Sequence, residues 1–196
     1  MTVSAQDVKK LRDQTGAGLM DCKRALQEVG GDIEKARMAL REKGLAKAQK
    51  KSVREASEGV ITAYIHGNGR LGVILELACE TDFVARNEEF QNLARELAMQ
   101  VAAMSPQVVA PEDLPEDVVT AERELYRKEV ADKPEQIREK IVEGKLAKFY
   151  EQVCLLDQPY VREEKRKVRE VINDAIAKIG ENIVVRRFVR MELGGT

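Results

Sequence analysis

Tryptophan is absent, histidine occurs once, and Phe and Tyr together make up only 4% of the 196 residues. A single imidazole, His66, cannot build a multi-histidine metal shell, and no Ser or Cys near it in sequence suggests a nucleophile–base pair. It lies beside a glycine-rich turn and reads as a strand-end residue. The three cysteines, Cys22, Cys79 and Cys154, are far apart and form no CxxC pair. That spacing excludes a zinc ribbon or disulfide framework and fits small buried hydrophobes in a reducing compartment. Charge of one sign is also lacking: 33 Lys and Arg stand against 34 Asp and Glu, a net charge of −1. A dedicated nucleic-acid binder carries a basic excess, because phosphate neutralisation dominates its affinity. No apolar run approaches the length of a membrane span, and Met1-Thr2-Val3-Ser4 does not open a basic-then-apolar leader. The expectation is a soluble cytoplasmic protein with no membrane partner. No GxxxxGK[ST] loop occurs, and the GxG of Gly16-Ala17-Gly18 joins two helical stretches instead of a strand and a helix. No cofactor and no metal site are expected, and catalysis has no positive signal.

What is present is helix, then a change of period. Apolar residues reach 43%, enough for a packed core, and charged residues 34%, which implies much solvated helix surface. Ser4 followed by Asp7 forms a capping pattern ahead of Val8 and Leu11. Thr15-Gly16-Ala17-Gly18 breaks that helix. A second carries Leu19, Cys22, Ala25, Leu26 and Val29 at helical spacing, and a third, capped by Asp32, carries Ile33, Ala36 and Leu40 and closes at Gly44. Residues 1–45 thus read as a three-helix bundle with a marginal core. Residues 46–58 are polar, helix-prone and partly basic, and read as a linker helix.

Residues 59–196 read as an α+β core. Ile61, Ala63 and Ile65 alternate with other residues, Gly67-Asn68-Gly69 marks a turn, and Leu71, Val73, Leu75, Leu77 and Cys79 alternate again. This is a β-hairpin with one strongly apolar face. Asn87 can cap a helix whose first turn holds Glu88 and Glu89 and whose stripe is Phe90, Leu93, Ala94, Leu97, Val101 and Ala102. A proline-rich acidic loop over 105–117 precedes two or three charged helices, at roughly 118–132, 134–142 and 145–154. Another helix is expected over 163–179, ended by Gly180. A β-branched strand over 183–193 would complete a three-stranded antiparallel sheet packed by helices, since a hairpin alone is barely stable. The basic stretches 47–54 and 162–169 read as solvated helix faces.

One segment asks for another explanation. Cys79-Glu80-Thr81-Asp82-Phe83-Val84-Ala85-Arg86-Asn87 joins the apolar strand to the amphipathic helix and places Phe83 and Val84 in a loop. Loops run on the surface and carry binding residues, and a rigid aromatic there can anchor in a partner's pocket. The alternative is that Phe83 folds back into the core.

Thr81 to Asn87 resembles the signature of the bacterial elongation factor Ts family. So do Leu11-Arg12 with Thr15 to Lys23 and Ala25-Leu26, and Gly180-Glu181-Asn182-Ile183 with Arg187-Phe188. The three motifs stand in the expected order over nearly the whole chain. The chain is too short for the full coiled-coil insertion of some members and resembles the compact form, and Leu19 stands where many members have Met. The resemblance implies a non-catalytic guanine-nucleotide exchange factor in translation elongation, with elongation factor Tu as partner and no direct nucleic-acid contact. The N-terminal bundle would be ubiquitin-associated-like and would dock on the GTPase domain, with Arg12, Leu19 and Met20 as candidate contacts; bundle core is the other reading of Leu19 and Met20. Thr81, Asp82, Phe83 and Val84 would disturb the partner's Mg²⁺ site and promote GDP release. The core could also pair with a second copy through an uncovered sheet face, giving a 2:2 complex. Competing readings are an adaptor for ubiquitin-like or peptide ligands, an RNA-associated factor using residues 47–54, and an enzyme with an unrecognised site.

Overall fold

In a computed structural model of the chain, residues 3–195 are described. They form two compact units, residues up to 59 with 78–90 and 170–184, and residues 60–77 with 91–169 and those from 185 on.

The first unit begins with α1 (Ala5–Thr15), α2 (Leu19–Glu28) and α3 (Ile33–Lys51). Ser4 Oγ accepts from the Asp7 amide at 3.1 Å and donates to the Asp7 carboxylate at 2.6 Å, so the capping pattern is real. Gly16 ends α1 at φ 66°, a left-handed conformation that glycine enters cheaply, and its N–H reaches Arg12 O at 2.7 Å. Asp32 Oδ1 accepts from the Lys35 amide at 3.0 Å and starts α3. Val8, Leu11, Cys22, Ala25, Leu26 and Ala36 make the small buried core, with Val29, Ile33 and Leu40 packed against it. Leu19, the first residue of α2 and at helical spacing with the buried Cys22 and Leu26, is itself exposed.

The third helix does not close at Gly44. It runs unbroken to Lys51 and takes in residues expected in a separate linker helix. A Cβ at Gly44 would stand 3.3 Å from the Cβ of Ala177 on α8 (Val168–Ile179). The glycine therefore marks a close approach of two helices, not a stop signal. Lys51 Nζ donates to the carbonyl of Gly180, and Arg41 pairs with Glu170, so α3 and the 170–184 segment are joined along their length.

The sheet has the order β1-β2-β5, antiparallel throughout, with β1 (Glu58–His66), β2 (Leu71–Cys79) and β5 (Ile183–Glu192). Gly67, Asn68 and Gly69 all take positive φ in the turn between the first two strands. On β2, Val73, Leu75, Leu77 and Cys79 are buried as expected. On β1 the reverse holds: Val60, Thr62 and Tyr64 are half-buried, while Ile61, Ala63 and Ile65 are exposed. Period-2 alternation separates two faces but does not say which one points inward.

In the second unit, α5 (Glu88–Met104) buries Leu93, Ala94, Leu97, Ala98, Val101 and Ala102. Gln100 on the same helix is fully buried yet satisfied. Its Nε2 donates to Gln158 Oε1 at 3.2 Å and Pro159 O at 3.1 Å, and its Oε1 accepts from the Val161 amide at 2.9 Å. Of the two or three charged helices expected here, two form, α6 (Glu116–Glu129) and α7 (Glu135–Val153), and Gly144 does not divide the second of them. Val130, Val142 and Leu146 form their core beside Tyr126, Ile141 and Tyr150. Residues 163–167 are a strand, β4 (Glu163–Lys167), instead of the start of the helix, which begins at Val168. They pair antiparallel with β3 (Pro159–Tyr160) in a short local hairpin, and this pairing overrides the helix propensity of Glu-Glu-Lys-Arg-Lys.

Candidate functional site

Strand β2 ends at Cys79, and three residues later the chain turns once as a short helix, α4 (Asp82–Ala85). Phe83 and Val84 thus lie on a helical turn, where the sequence suggested an irregular loop. Its geometry is fixed at both ends. Thr81 Oγ1 accepts from the Val84 amide at 3.4 Å, and Thr81 O accepts from Ala85 N at 3.1 Å. At the far end Asn87 N donates to Val84 O at 2.9 Å, and Asn87 Oδ1 accepts from the amides of Glu89 and Phe90 at 2.8 and 3.4 Å. Two polar caps six residues apart in sequence bracket a single turn, so its crest is defined although no apolar core holds it.

Phe83 occupies that crest with 79% of its surface exposed. It does not fold back into the core. Phe90, seven residues on, is 0% exposed and supplies the buried aromatic of the segment. Beside Phe83, the Asp82 carboxylate pairs with Arg86 at 2.9 Å, both side chains remaining in water. Thr81 and Val84 are half-buried and form the flanks of the turn.

Beneath the turn lies a polar cluster drawn from three parts of the first unit. Glu181 Oε2 accepts from the amides of Glu80 and Thr81 at 3.1 and 3.0 Å, and its Oε1 accepts from the Thr81 hydroxyl at 2.7 Å. Glu80 Oε1 in return accepts from the Asn182 amide at 2.6 Å, and Arg54 lies 3.4 Å from Glu80 Oε2. Asn182, itself buried, donates from Nδ2 to Arg54 O at 2.7 Å and Ser52 O at 3.5 Å. The Cys79 thiol donates to Thr81 O at 3.2 Å. Burial first, then the nearby Glu181 charge, push that thiol up to about 11, so it stays protonated at neutral pH. Sequence reasoning assigned no role to Glu181 or Asn182. The one local signal was an acid and an amide directly after the helix-ending Gly180, where backbone donors and acceptors lack helical partners.

The N-terminal candidates are also on the surface of the first unit. Leu19 is 54% exposed and Met20 64%, and Arg12 is exposed. Neither apolar residue belongs to the bundle core. His66 Nδ1 lies 2.9 Å from the Tyr64 hydroxyl and the two rings stack, as suits an exposed strand end. Among the described residues, no three His, Cys, Asp or Glu side chains converge where they could hold a metal ion, and no helix is long and apolar enough to cross a membrane. Cys22, Cys79 and Cys154 are buried free thiols.

The basic stretches are engaged by acids. Lys47 pairs with Asp21 at 3.5 Å and Arg54 with Glu80. Arg162 pairs with Glu96 at 3.3 Å, and Arg169 with Asp157 at 3.2 Å.

Comparison with known proteins gives one consistent result. A family model described as elongation factor TS matches residues 4–176. The chain is 56% identical over 197 residues to elongation factor Ts of Thermodesulfovibrio yellowstonii, covering 100% of this chain and 98% of that relative. It is 57% identical over 196 residues to that of Coprothermobacter proteolyticus, with 99% and 100% covered, and 58% identical over 194 residues to that of Thermotoga neapolitana, with 99% and 98% covered.

Proposed function

The chain belongs to the elongation factor Ts family of translation elongation factors, and from that premise we propose that it accelerates GDP release from elongation factor Tu by pressing Phe83 into the GTPase. The observation that carries this reading is an aromatic side chain 79% exposed on a turn capped at both ends. An exposed phenylalanine gains little for its own fold and much for a partner that offers it an apolar pocket.

The mechanism needs no bond-making. Mg²⁺ links nucleotide phosphates to a few protein and water oxygens in near-ideal octahedral geometry. A ring driven between the elements that carry those oxygens moves them off that geometry, and both ion and nucleotide are held more weakly. Thr81, Asp82 and Val84 shape the same contact: the carboxylate beside the ring supplies charge at its base, and the flanks limit how deep it enters. The factor binds the nucleotide-free GTPase more tightly than the GDP-bound form. Linkage then requires GDP to bind more weakly by the same factor in the complex, and GTP rebinding expels the exchange factor by the same reciprocity. The protein thereby works as a cytoplasmic exchange factor and not as an enzyme.

Residues 1–45 supply docking on the GTPase domain through Arg12, Leu19 and Met20, and 46–58 lead from that module into the core, 59–196. Phe83 and the three docking residues fall in the same compact unit. Release of a fluorescent GDP analogue from elongation factor Tu, with and without the protein, tests the proposal. A rate that does not rise with factor concentration rejects it.

A second reading concerns assembly. Ile61, Ile65, Ile74, Val189 and Met191 are exposed on the three strands. Ile65 Cδ1 lies 3.2 Å from where a Gly72 Cβ would stand, and Arg187 pairs with Glu76 at 2.8 Å, so these residues share one face. An open apolar sheet face is suited to a second copy, giving a symmetric dimer and a 2:2 complex with the GTPase. Sedimentation tests it, and a monomer at micromolar concentration rejects it.

A further inference from the structure

A one-turn helix of four residues has no stability of its own, since helix nucleation costs more than one turn returns. The crest that carries Phe83 must therefore be held from below. The holding groups come from about 100 residues further along the chain, at the end of α8, where Gly180 turns at φ 94° and delivers Glu181 under the loop.

We propose that Glu181 is a positioning residue for Phe83, a carboxylate clasp that fixes the two peptide planes ahead of the turn so that the ring is presented already ordered. The proposal rests on the exchange reading above and names what makes that contact effective. One carboxylate takes the amide protons of both Glu80 and Thr81 on Oε2 and the Thr81 hydroxyl proton on Oε1. That hydroxyl has its own lone pair on the Val84 amide, so the same atom links the clasp to the helical turn. Phe83 is two residues from Thr81. A rotation of the Thr81 peptide would therefore swing the ring directly.

The clasp is reciprocal. Glu80 accepts from the Asn182 amide, and the Asn182 side chain holds the carbonyls of Ser52 and Arg54, which follow the end of α3. Three distant segments of one compact unit thus converge on the base of one exposed turn. Charge is needed for a chemical reason. Three donors converge on Glu181, and an ionised carboxylate offers only acceptors, with about four lone-pair sites. Glutamine would keep one acceptor oxygen for the two amides, but its NH₂ could meet the Thr81 hydroxyl only with that bond reversed, and every bond would become neutral instead of charge-assisted, which weakens the clasp. Preordering the loop removes the entropy cost that a mobile loop would meet on insertion.

The test is a set of four variants, Glu181→Ala, Glu181→Gln, Phe83→Ala and Glu181→Ala with Phe83→Ala. Each is assayed by GDP release from elongation factor Tu across factor concentrations, so that maximal rate and half-saturation are separated. Amide hydrogen exchange of the full-length factor is measured alongside. Glu181→Ala is expected to lower the maximal rate about tenfold or more, as a displaced contact group does, and to speed exchange at the Glu80 and Thr81 amides while α1–α3 stay protected. In the Phe83→Ala background it is expected to add less than about twofold, because the ring it positions is gone. Equal effects in both backgrounds, or a maximal rate unchanged while the two amides exchange faster, would overturn the positioning role. If Glu181→Ala does not fold, Glu181→Gln carries the same cycle with side-chain volume kept. Slow Phe83→Ala with normal Glu181 variants removes the clasp alone; normal exchange by Phe83→Ala removes the wedge and the clasp with it.

Discussion

Two phenylalanines seven residues apart give opposite expectations for one substitution. Phe83 is 79% exposed and Phe90 is 0% exposed. Full burial of a large apolar side chain contributes about 1.5–3 kcal/mol. With only about a fifth of Phe83 covered, its removal should cost the isolated protein roughly 0.5 kcal/mol. For a chain of this size that lowers the melting temperature by about 1–2 °C. Phe90→Ala deletes a fully enclosed ring and should cost about 3–5 kcal/mol, a drop near 10 °C or more. In the exchange assay the order inverts. A central aromatic anchor contributes about 2 kcal/mol or more to a partner contact. If that contact forms fully only as the metal site opens, its loss slows maximal GDP release about 30-fold. Stopped-flow release at saturating factor, with melting curves on the same samples, reads both numbers. Phe83→Ala that melts normally and exchanges normally would refute the wedge. Phe83→Ala that melts as low as Phe90→Ala would refute the account of the turn as a platform built without core support.

Three further outcomes follow from the same structure. Leu19→Asp with Met20→Asp, both on exposed positions, should leave melting within about 2 °C and raise the concentration of factor needed for half-maximal exchange. The thiols of Cys79 and Cys154 are raised to about 11, mainly by burial, and the phenol of Tyr160 to about 12, by burial and by its bond to Glu96. Each of these acids holds its proton more tightly folded than unfolded. Stability is therefore complete below the unfolded thiol value near 9 and falls as pH rises through 9 to 11, which denaturant titration at pH 8 and pH 10.5 will read. Ile61→Lys with Met191→Lys places charge on the open sheet face and should convert a dimer to monomer in sedimentation without changing the helical circular dichroism signal.

Local signals in the sequence carried much of this. Ser4, Asp32 and Asn87 are short polar side chains ahead of apolar periodicity, and all three cap the helices expected of them. The Gly67-Asn68-Gly69 turn and the apolar alternation of β2 needed only neighbouring residues to be read. What could not be read depended on contacts between distant segments. Gly44 looks like a stop signal until Ala177 is seen against it. Residues 163–167 are the local exception: they look helical until Pro159–Tyr160, just before them in the chain, folds back as a hairpin partner. The inward face of β1 is set by the sheet's surroundings, and alternation alone is symmetric between the two. At the site, Phe83 was legible as an aromatic in a polar junction, but its exposure was not. The role of Glu181 was out of reach, because its three bonds run to Glu80 and Thr81, about 100 residues away in sequence.

The most direct measurement is the structure of the protein bound to nucleotide-free elongation factor Tu. The account predicts the Phe83 ring buried inside the GTPase, next to the emptied Mg²⁺ position, with the Glu181 bonds beneath it intact. A complex in which that ring still faces solvent, or points away from the GTPase, would contradict it.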